Sequence, residues 1–181
     1  MKGESNARSR TVSWEDPVIG ATAAPDMSGL DYMRAIMTGE LPTAPMADLM
    51  GFGLVEVEEG RVVFDCIPAE YHYNPIGSVH GGLACTLFDS AMGCAVHTML
   101  PVGVGYTTLE LKVNLLRAIT IETGCLLCEG ALHKNPDSIA RCCGFEQPSL
   151  NELRHRWIFV QGPARARPSM SADESPPPSP G

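Results

Sequence analysis

Asn74-Pro-Ile-Gly-Ser-Val-His80-Gly-Gly-Leu-Ala-Cys-Thr-Leu-Phe-Asp89-Ser-Ala-Met-Gly93 is the stretch that decides how the chain folds. It reads as a loop that turns into a helix at a pair of glycines, and the helix continues to about Met99. Leu83, Ala84, Leu87, Phe88, Ala91, Met92, Ala95, Val96 and Met99 recur at i, i+1, i+4 and i+5 over four turns. At 3.6 residues per turn this apolar arc covers roughly 220° of the circumference. A helix of that kind must be wrapped on most of its surface.

A narrow strip remains: Gly82, Cys85, Thr86, Asp89, Ser90, Gly93 and His97. Asp89 is the only acidic residue on the helix, and its neighbours Gly82, Cys85 and Gly93 are small. A carboxylate on so apolar a helix is expected to be buried, where an unpaired charge is costly. Its plainest reading is a hydrogen-bonding residue that meets a loop or a neighbouring subunit. Its chemical reading is a base or nucleophile. Gly81 and Gly82 leave the first backbone N–H groups of the helix uncovered, and such groups favour an oxyanion. Gly81 and Asp89 are eight residues apart, about 12 Å along one helix. They cannot flank the same carbonyl unless a second copy of the chain supplies one of them.

Outward from this helix the chain alternates in the manner of a sheet. Leu54–Glu58 and Arg61–Ile67 form a hairpin across Glu59-Gly60. Tyr106 to Leu115 alternates strictly: Leu109, Leu111, Val113 and Leu115 face one way, Thr108, Glu110, Lys112 and Asn114 the other. Cys125–Leu132 gives a further strand after a turn at Thr123-Gly124. Before the hairpin, Leu30–Met37 makes a short helix that stops at Gly39. Pro45–Gly51 makes one or two helical turns with proline first and glycine last. Residues 1–29 read as largely irregular.

The array Asn74, Gly77, His80-Gly81-Gly82, Asp89 and Gly93, followed by Gly105-Tyr-Thr-Thr-Leu-Glu-Leu-Lys-Val-Asn-Leu-Leu-Arg117, resembles the PaaI-type hotdog-fold acyl-CoA thioesterases. The resemblance runs from about Leu30 to His133. It implies an α+β hotdog fold, an antiparallel sheet wrapped around one long central helix. It also implies hydrolysis of an acyl-CoA to a carboxylic acid and CoA by a homodimer or homotetramer with shared sites. In that picture the thioester carbonyl sits at the Gly81 N–H, and Asp89 of the other subunit attacks it or activates a water. Asn74 orients the water or the carboxylate; as a plain residue it would close an Asn-Pro turn. His80 orients the loop or contacts the thioester; its plainer role is a loop histidine bonded to backbone. Thr108 matches the family's hydroxyl position, and Thr107 replaces it if the register slips by one. Two other readings stand beside this one: a catalytically impaired acyl-CoA-binding remnant, which the atypical C-terminal segment suggests, and a hotdog hydratase or dehydratase, over which one helix-borne Asp and His-Gly-Gly favour hydrolysis.

Composition narrows the partners. The 181 residues carry a net charge of −8, with seven Lys and Arg against sixteen Asp and Glu in residues 1–133. That balance argues against nucleic acid. It leaves Arg61, Lys112 and Arg117 as the cations of the matched region able to meet coenzyme A phosphates. No apolar run reaches the length of a membrane span, and no apolar signal opens the chain, so a cytoplasmic protein without membrane association is expected. Seven cysteines are present. Cys85 and Cys94 read as small apolar fillers. Cys125 and Cys128 sit three apart in a strand and face opposite sides, and the adjacent Cys142-Cys143 pair poorly suits a zinc site. No cofactor or metal is expected.

Beyond His133 alternation is lost. A complete hotdog sheet needs two more long strands here, yet only Arg156-Trp-Ile-Phe-Val160 reads as one. A changed reading frame or a divergent C-terminal segment would each leave this block pattern. The expected organisation is an extension over 1–44, a hotdog thioesterase-like domain over 45–161 with 134–161 atypical, and a disordered Pro-rich tail over 162–181.

Overall fold

The computed structural model describes residues 7–132 and the backbone of two further strands, 140–144 and 157–158. The Pro-rich tail expected over 162–181 lies outside the described residues. The first helix, α1 (Pro17–Ala23), is capped by Asp16, whose carboxylate accepts the Val18 N–H at 2.9 Å. It corrects the irregular reading of residues 1–29. Seven residues are too few to show a 3.6-residue period, and the Asp16-Pro17 start was the only available signal. A 3-10 turn, Ala24–Asp26, joins it to α2 (Gly29–Thr38). Ser28 caps α2 by accepting the Asp31 N–H, and Gly39 ends it. The next helix, α3 (Pro45–Met50), begins on proline and ends at Gly51.

The hairpin follows as β1 (Phe52–Glu58) and β2 (Arg61–Cys66). Gly60 takes the positive φ of 74° that the two-residue turn demands. Arg61 ties the sheet together at its edge of polarity, reaching Glu56 at 2.7 Å on β1 and Glu129 at 2.7 Å on the strand beyond. The central helix, α4, spans Gly81–His97. It is followed by β3 (Glu110–Leu111), β4 (Leu126–Leu132), β5 (Ala140–Gly144) and β6 (Trp157–Ile158). One antiparallel sheet has the order β1-β2-β4-β5, and β3 pairs with β6 in a second.

The sheet closes on α4. Phe64 stands opposite Cys128 and Cys66 opposite Leu126, so one face of β2 and β4 turns toward the helix. There they meet Leu83, Leu87, Phe88, Ala91 and Met92, all buried. Burying a side chain of this size contributes about 1.5–3 kcal/mol. At Gly130 the β4 backbone lies directly on the Ala91 carbonyl, where no Cβ fits. This is the α+β, hotdog-like arrangement of one long helix packed against an antiparallel sheet.

Three expectations change. The Tyr106–Leu115 strand is paired only at Glu110 and Leu111. Leu111 and Val113 still pack on the core, whereas Leu109 and Leu115 are 58% and 55% exposed. Periodicity selects a face, but a strand also needs a partner backbone, and among the described residues only Trp157 and Ile158 supply one. The helix stops at His97, leaving Met99 49% exposed outside it. Ala140–Gly144 forms a five-residue strand on β4 where no strand was expected. Its Ala-Arg-Cys-Cys-Gly sequence carries no alternation; backbone pairing alone makes it a strand.

Candidate active site

Asp89 projects from the middle of α4, and the segment after the helix brings Thr108 to it. The Thr108 Oγ1 donates to Asp89 Oδ1 at 2.9 Å. Asp89 is exposed within the chain, which corrects the buried carboxylate expected from its apolar helix. The polar strip of α4 remains uncovered at this point, so solvent reaches one oxygen while Thr108 fixes the other. Thr107 is exposed and makes no such contact.

Asp89 and Thr108 form the mouth of a cavity of about 520 Å³. Met33, Ile36, Phe52 and Phe64 give it apolar walls, and Gly20 and Ala21 of α1, with Ala24 of the following 3-10 turn, line its other side. The volume lies within the roughly 300–1,000 Å³ of small-molecule sites. One wall is polar. The Tyr106 hydroxyl crosses Gly93, where an added Cβ would stand 2.9 Å from it, and hydrogen-bonds the Cys94 thiol. Burial pushes that thiol up to about 12, with the Asp89 charge adding to the shift and the Tyr106 hydrogen bond opposing it. Burial first, then Cys94 and Asp89, also raise the Tyr106 hydroxyl far above its ordinary value. The His97 ring lies between Tyr106 and Tyr32, with centroids 5.5 and 5.3 Å away, and burial lowers its pKa. The sequence places His97 on the polar strip of the helix, and nothing in its pattern singles out Tyr32 or Tyr106. Gly93, four residues from Asp89 and from His97, was the available sign that something large approaches the helix there.

The other end of α4 is organised by His80. Its Nδ1 accepts the Gly82 N–H at 2.8 Å, so His80 is the cap of the helix. This corrects the expectation of two uncovered glycine N–H groups: Gly82 is engaged, and Gly81 alone has no acceptor among the described residues. Asn74 closes its own loop. Its Oδ1 accepts from Ile76 N at 3.0 Å, and its Nδ2 donates to Ser78 Oγ at 2.9 Å. A second cavity, about 580 Å³, lies beside His80 and Gly82. The N-terminal segment walls it off: Arg10 donates to the Leu49 and Asp48 carbonyls and stacks over Tyr71 at 4.0 Å. Asp89 and Thr108 therefore meet within one chain. Asn74, His80 and Gly81 gather at the far end of the helix and do not join them.

This constellation sits inside a segment of known kind. Residues 76–129 match the thioesterase superfamily. That segment holds His80, Gly81, Asp89 and Thr108 and stops short of Asn74. Within the chain, 43 residues are 49% identical to a candidate esterase of Halobacterium salinarum; the match reaches 23% of this chain and 28% of the relative's length. Among solved structures, a candidate thioesterase related to phenylacetic acid degradation, from Ralstonia eutropha JMP134, superposes with a TM-score of 0.57 at 23% identity. It is covered over 99% of its length by 71% of this chain. A hypothetical thioesterase protein of Streptococcus pneumoniae TIGR4, solved with coenzyme A, gives a TM-score of 0.51 at 21% identity, over 64% of this chain and 88% of that one. Both share the fold. The superfamily segment and the resemblance read from the sequence agree over this part of the chain.

The surrounding charges are largely committed. Arg61 is held by Glu56 and Glu129 and is thus lost as a phosphate ligand, and Lys112 pairs with Glu110 at 3.4 Å. Arg117 lies exposed on the segment after β3. Among the described residues no three His, Cys, Asp or Glu side chains gather as a metal site would require. No helix among them is long and apolar enough to cross a membrane.

Proposed function

We propose that this chain hydrolyses an acyl-CoA thioester to a carboxylic acid and CoA, at a site that two copies share. The observation that carries the reading is Asp89, fixed by Thr108 at the mouth of a largely apolar cavity. The match of residues 76–129 to the thioesterase superfamily supports the reaction class. The coenzyme A of the Streptococcus pneumoniae structure belongs to that protein and agrees with the choice of thioester.

The acyl carbonyl lies against the Gly81 N–H of one subunit, where the helix N-terminus favours negative charge on its oxygen. Asp89 of the other subunit stands beside the carbonyl carbon. With Oδ1 engaged by Thr108, Oδ2 accepts a proton from water as the water oxygen bonds to that carbon. The C–S bond then breaks, and CoA leaves as a thiolate that takes up a proton. Direct attack by Oδ2 would instead form a mixed anhydride with the enzyme. Turnover in ¹⁸O-labelled water separates the two: attack by water leaves Asp89 unlabelled, whereas hydrolysis of an anhydride at the Asp89 carbonyl places ¹⁸O in its carboxylate and an enzyme oxygen in the first acid released. Asn74 and His80 shape the loop that presents Gly81. The test of function is release of free thiol from acyl-CoA by the purified protein and its loss in Asp89→Asn. A folded Asp89→Asn protein with normal turnover rejects the assignment.

A further inference from the structure

We propose that Tyr32, His97 and Gly20 make the cavity beside Asp89 selective for an acyl group with a hydrogen-bonding substituent at its far end. The inference rests on the thioesterase reading and deepens it. Asp89, Gly93 and His97 follow one another at four-residue steps on α4, which puts His97 about 12 Å along the helix from Asp89. The cavity continues past His97 to α1, where Gly20 faces the Tyr32 hydroxyl; an added Cβ would stand 2.8 Å from that oxygen. Along an extended chain each bond advances roughly 1.2 Å. About ten acyl atoms therefore reach from a carbonyl near Asp89 to the Tyr32 end. Between them the walls are apolar except for the Tyr106 hydroxyl and the Cys94 thiol, which bond each other, and the end is polar.

Neither the Tyr32 hydroxyl nor a His97 ring nitrogen has a hydrogen-bond partner among the described residues, although their rings touch. Both are half-buried and face the cavity, so water meets their bonding needs until a ligand displaces it. An unsubstituted chain would desolvate both without replacing their bonds, whereas a terminal hydroxyl can accept from Tyr32 and bond the neutral His97 ring. Gly20 on α1 and Tyr32 on α2 lie outside residues 76–129 and His97 on α4 lies within them, so the N-terminal segment supplies two of the three residues.

The experiment compares hexanoyl-CoA, decanoyl-CoA and 10-hydroxydecanoyl-CoA as substrates, and the free ten-carbon acids as ligands by calorimetry. The expected result is a kcat/KM about tenfold higher for the hydroxylated ten-carbon ester than for the plain one. Tyr32→Phe should bring that ratio near unity. Gly20→Leu fills the end of the cavity and should shift the ratio of ten-carbon to six-carbon turnover by at least tenfold toward six. Ala24→Leu narrows the same wall and serves if Gly20→Leu does not fold. A wild-type ratio near unity, or one that survives Tyr32→Phe, overturns the inference and leaves the thioesterase reading standing. If no ester is hydrolysed, that reading falls and the acids decide. Tighter binding of 10-hydroxydecanoate, lost in Tyr32→Phe, supports the selective cavity, and equal binding of the two acids overturns it.

Discussion

The carboxylate of Asp89 has one oxygen fixed and the other open, an arrangement suited to taking a proton. Asp89→Asn keeps the shape and removes the basicity, and kcat should fall about 10²-fold or more, the range for a positioned base or nucleophile. Thr108→Val tests the same contact from the other side. Losing a hydrogen bond to a charged group costs about 1.5–3 kcal/mol where it is made, so turnover should drop by roughly ten- to a hundredfold if Thr108 acts by orienting Asp89. Thr108→Ser restores the hydroxyl and should recover most of the rate. Steady-state assays on the three variants decide it, and a Thr108→Val enzyme as fast as the native one would free Asp89 of this partner. Asp89 was legible in the sequence because no other acid lies on the helix. Its exposure was not, since helical periodicity names a face without saying whether anything covers it. Tyr106 was illegible for a related reason: its approach depends on where the segment after α4 returns, a tertiary fact that Gly93 only hints at.

Helix α4 was the most legible element, because eight apolar positions from Leu83 to Val96 hold their period through its turns. The hairpin and β4 were legible from their alternation and turn residues. The sheet partners were not. Tyr106–Leu115 has a better strand pattern than Ala140–Gly144, yet the second pairs along five residues and the first along two. Side-chain patterning reports burial, while pairing depends on which backbone arrives alongside. Gly130 shows how closely helix and sheet are matched. Gly130→Val would drive Cβ into the Ala91 carbonyl, a backbone atom that cannot swing aside, and push β4 off the helix. It should destabilise the fold by more than the 1–3 kcal/mol typical of overpacking. Leu87→Ala removes a buried side chain from the same contact without moving the backbone and should cost about 2–5 kcal/mol. Urea unfolding of both variants gives the comparison; a Gly130→Val midpoint equal to the native one would mean the two layers are not in contact there.

For the whole molecule, pH offers a test that needs no substrate. His72 is buried, with Nδ1 accepting the Ala69 N–H at 3.0 Å and Nε2 at 2.7 Å from the Met50 carbonyl. That pair of bonds requires the proton on Nε2 and none on Nδ1. Burial lowers the His72 pKa below 6.5, and the nearby Arg10 charge lowers it further, against the Met50 hydrogen bond. Burial likewise lowers His97. The unfolded chain therefore binds protons at these histidines at a higher pH than the folded chain does. Their contribution to stability is full above about pH 6.5 and is lost as pH falls from there through the depressed folded values. The urea midpoint should accordingly drop on going from pH 7 to pH 5, with the dependence of free energy on urea unchanged. His72→Gln removes one of the two titrations and should flatten the profile, even if it lowers stability at pH 7. An unflattened profile would transfer the effect to other groups.

The last test joins the two ends of α4. Asp89 and Gly81 lie about 12 Å apart on one rigid helix, so one chain cannot bring both to a single carbonyl. Mixing offers a direct reading. One parent carries Asp89→Asn. The other carries Gly81→Pro, which deletes the N–H while keeping a residue suited to the first turn of a helix. Each parent should be inactive as a homodimer, because every site holds one lesion. In a mixed dimer one site takes Asp89 and Gly81 from the intact halves, and the other takes both lesions. Random exchange of equal amounts makes half of the dimers mixed, each with one working site of two. Activity should rise from near zero to about a quarter of the native value per subunit. Native electrophoresis of differently tagged parents establishes that exchange has occurred. Exchange without recovered activity, or an active monomer in sedimentation, would place the whole site within one chain, and the Gly81 N–H would lose its part in the chemistry.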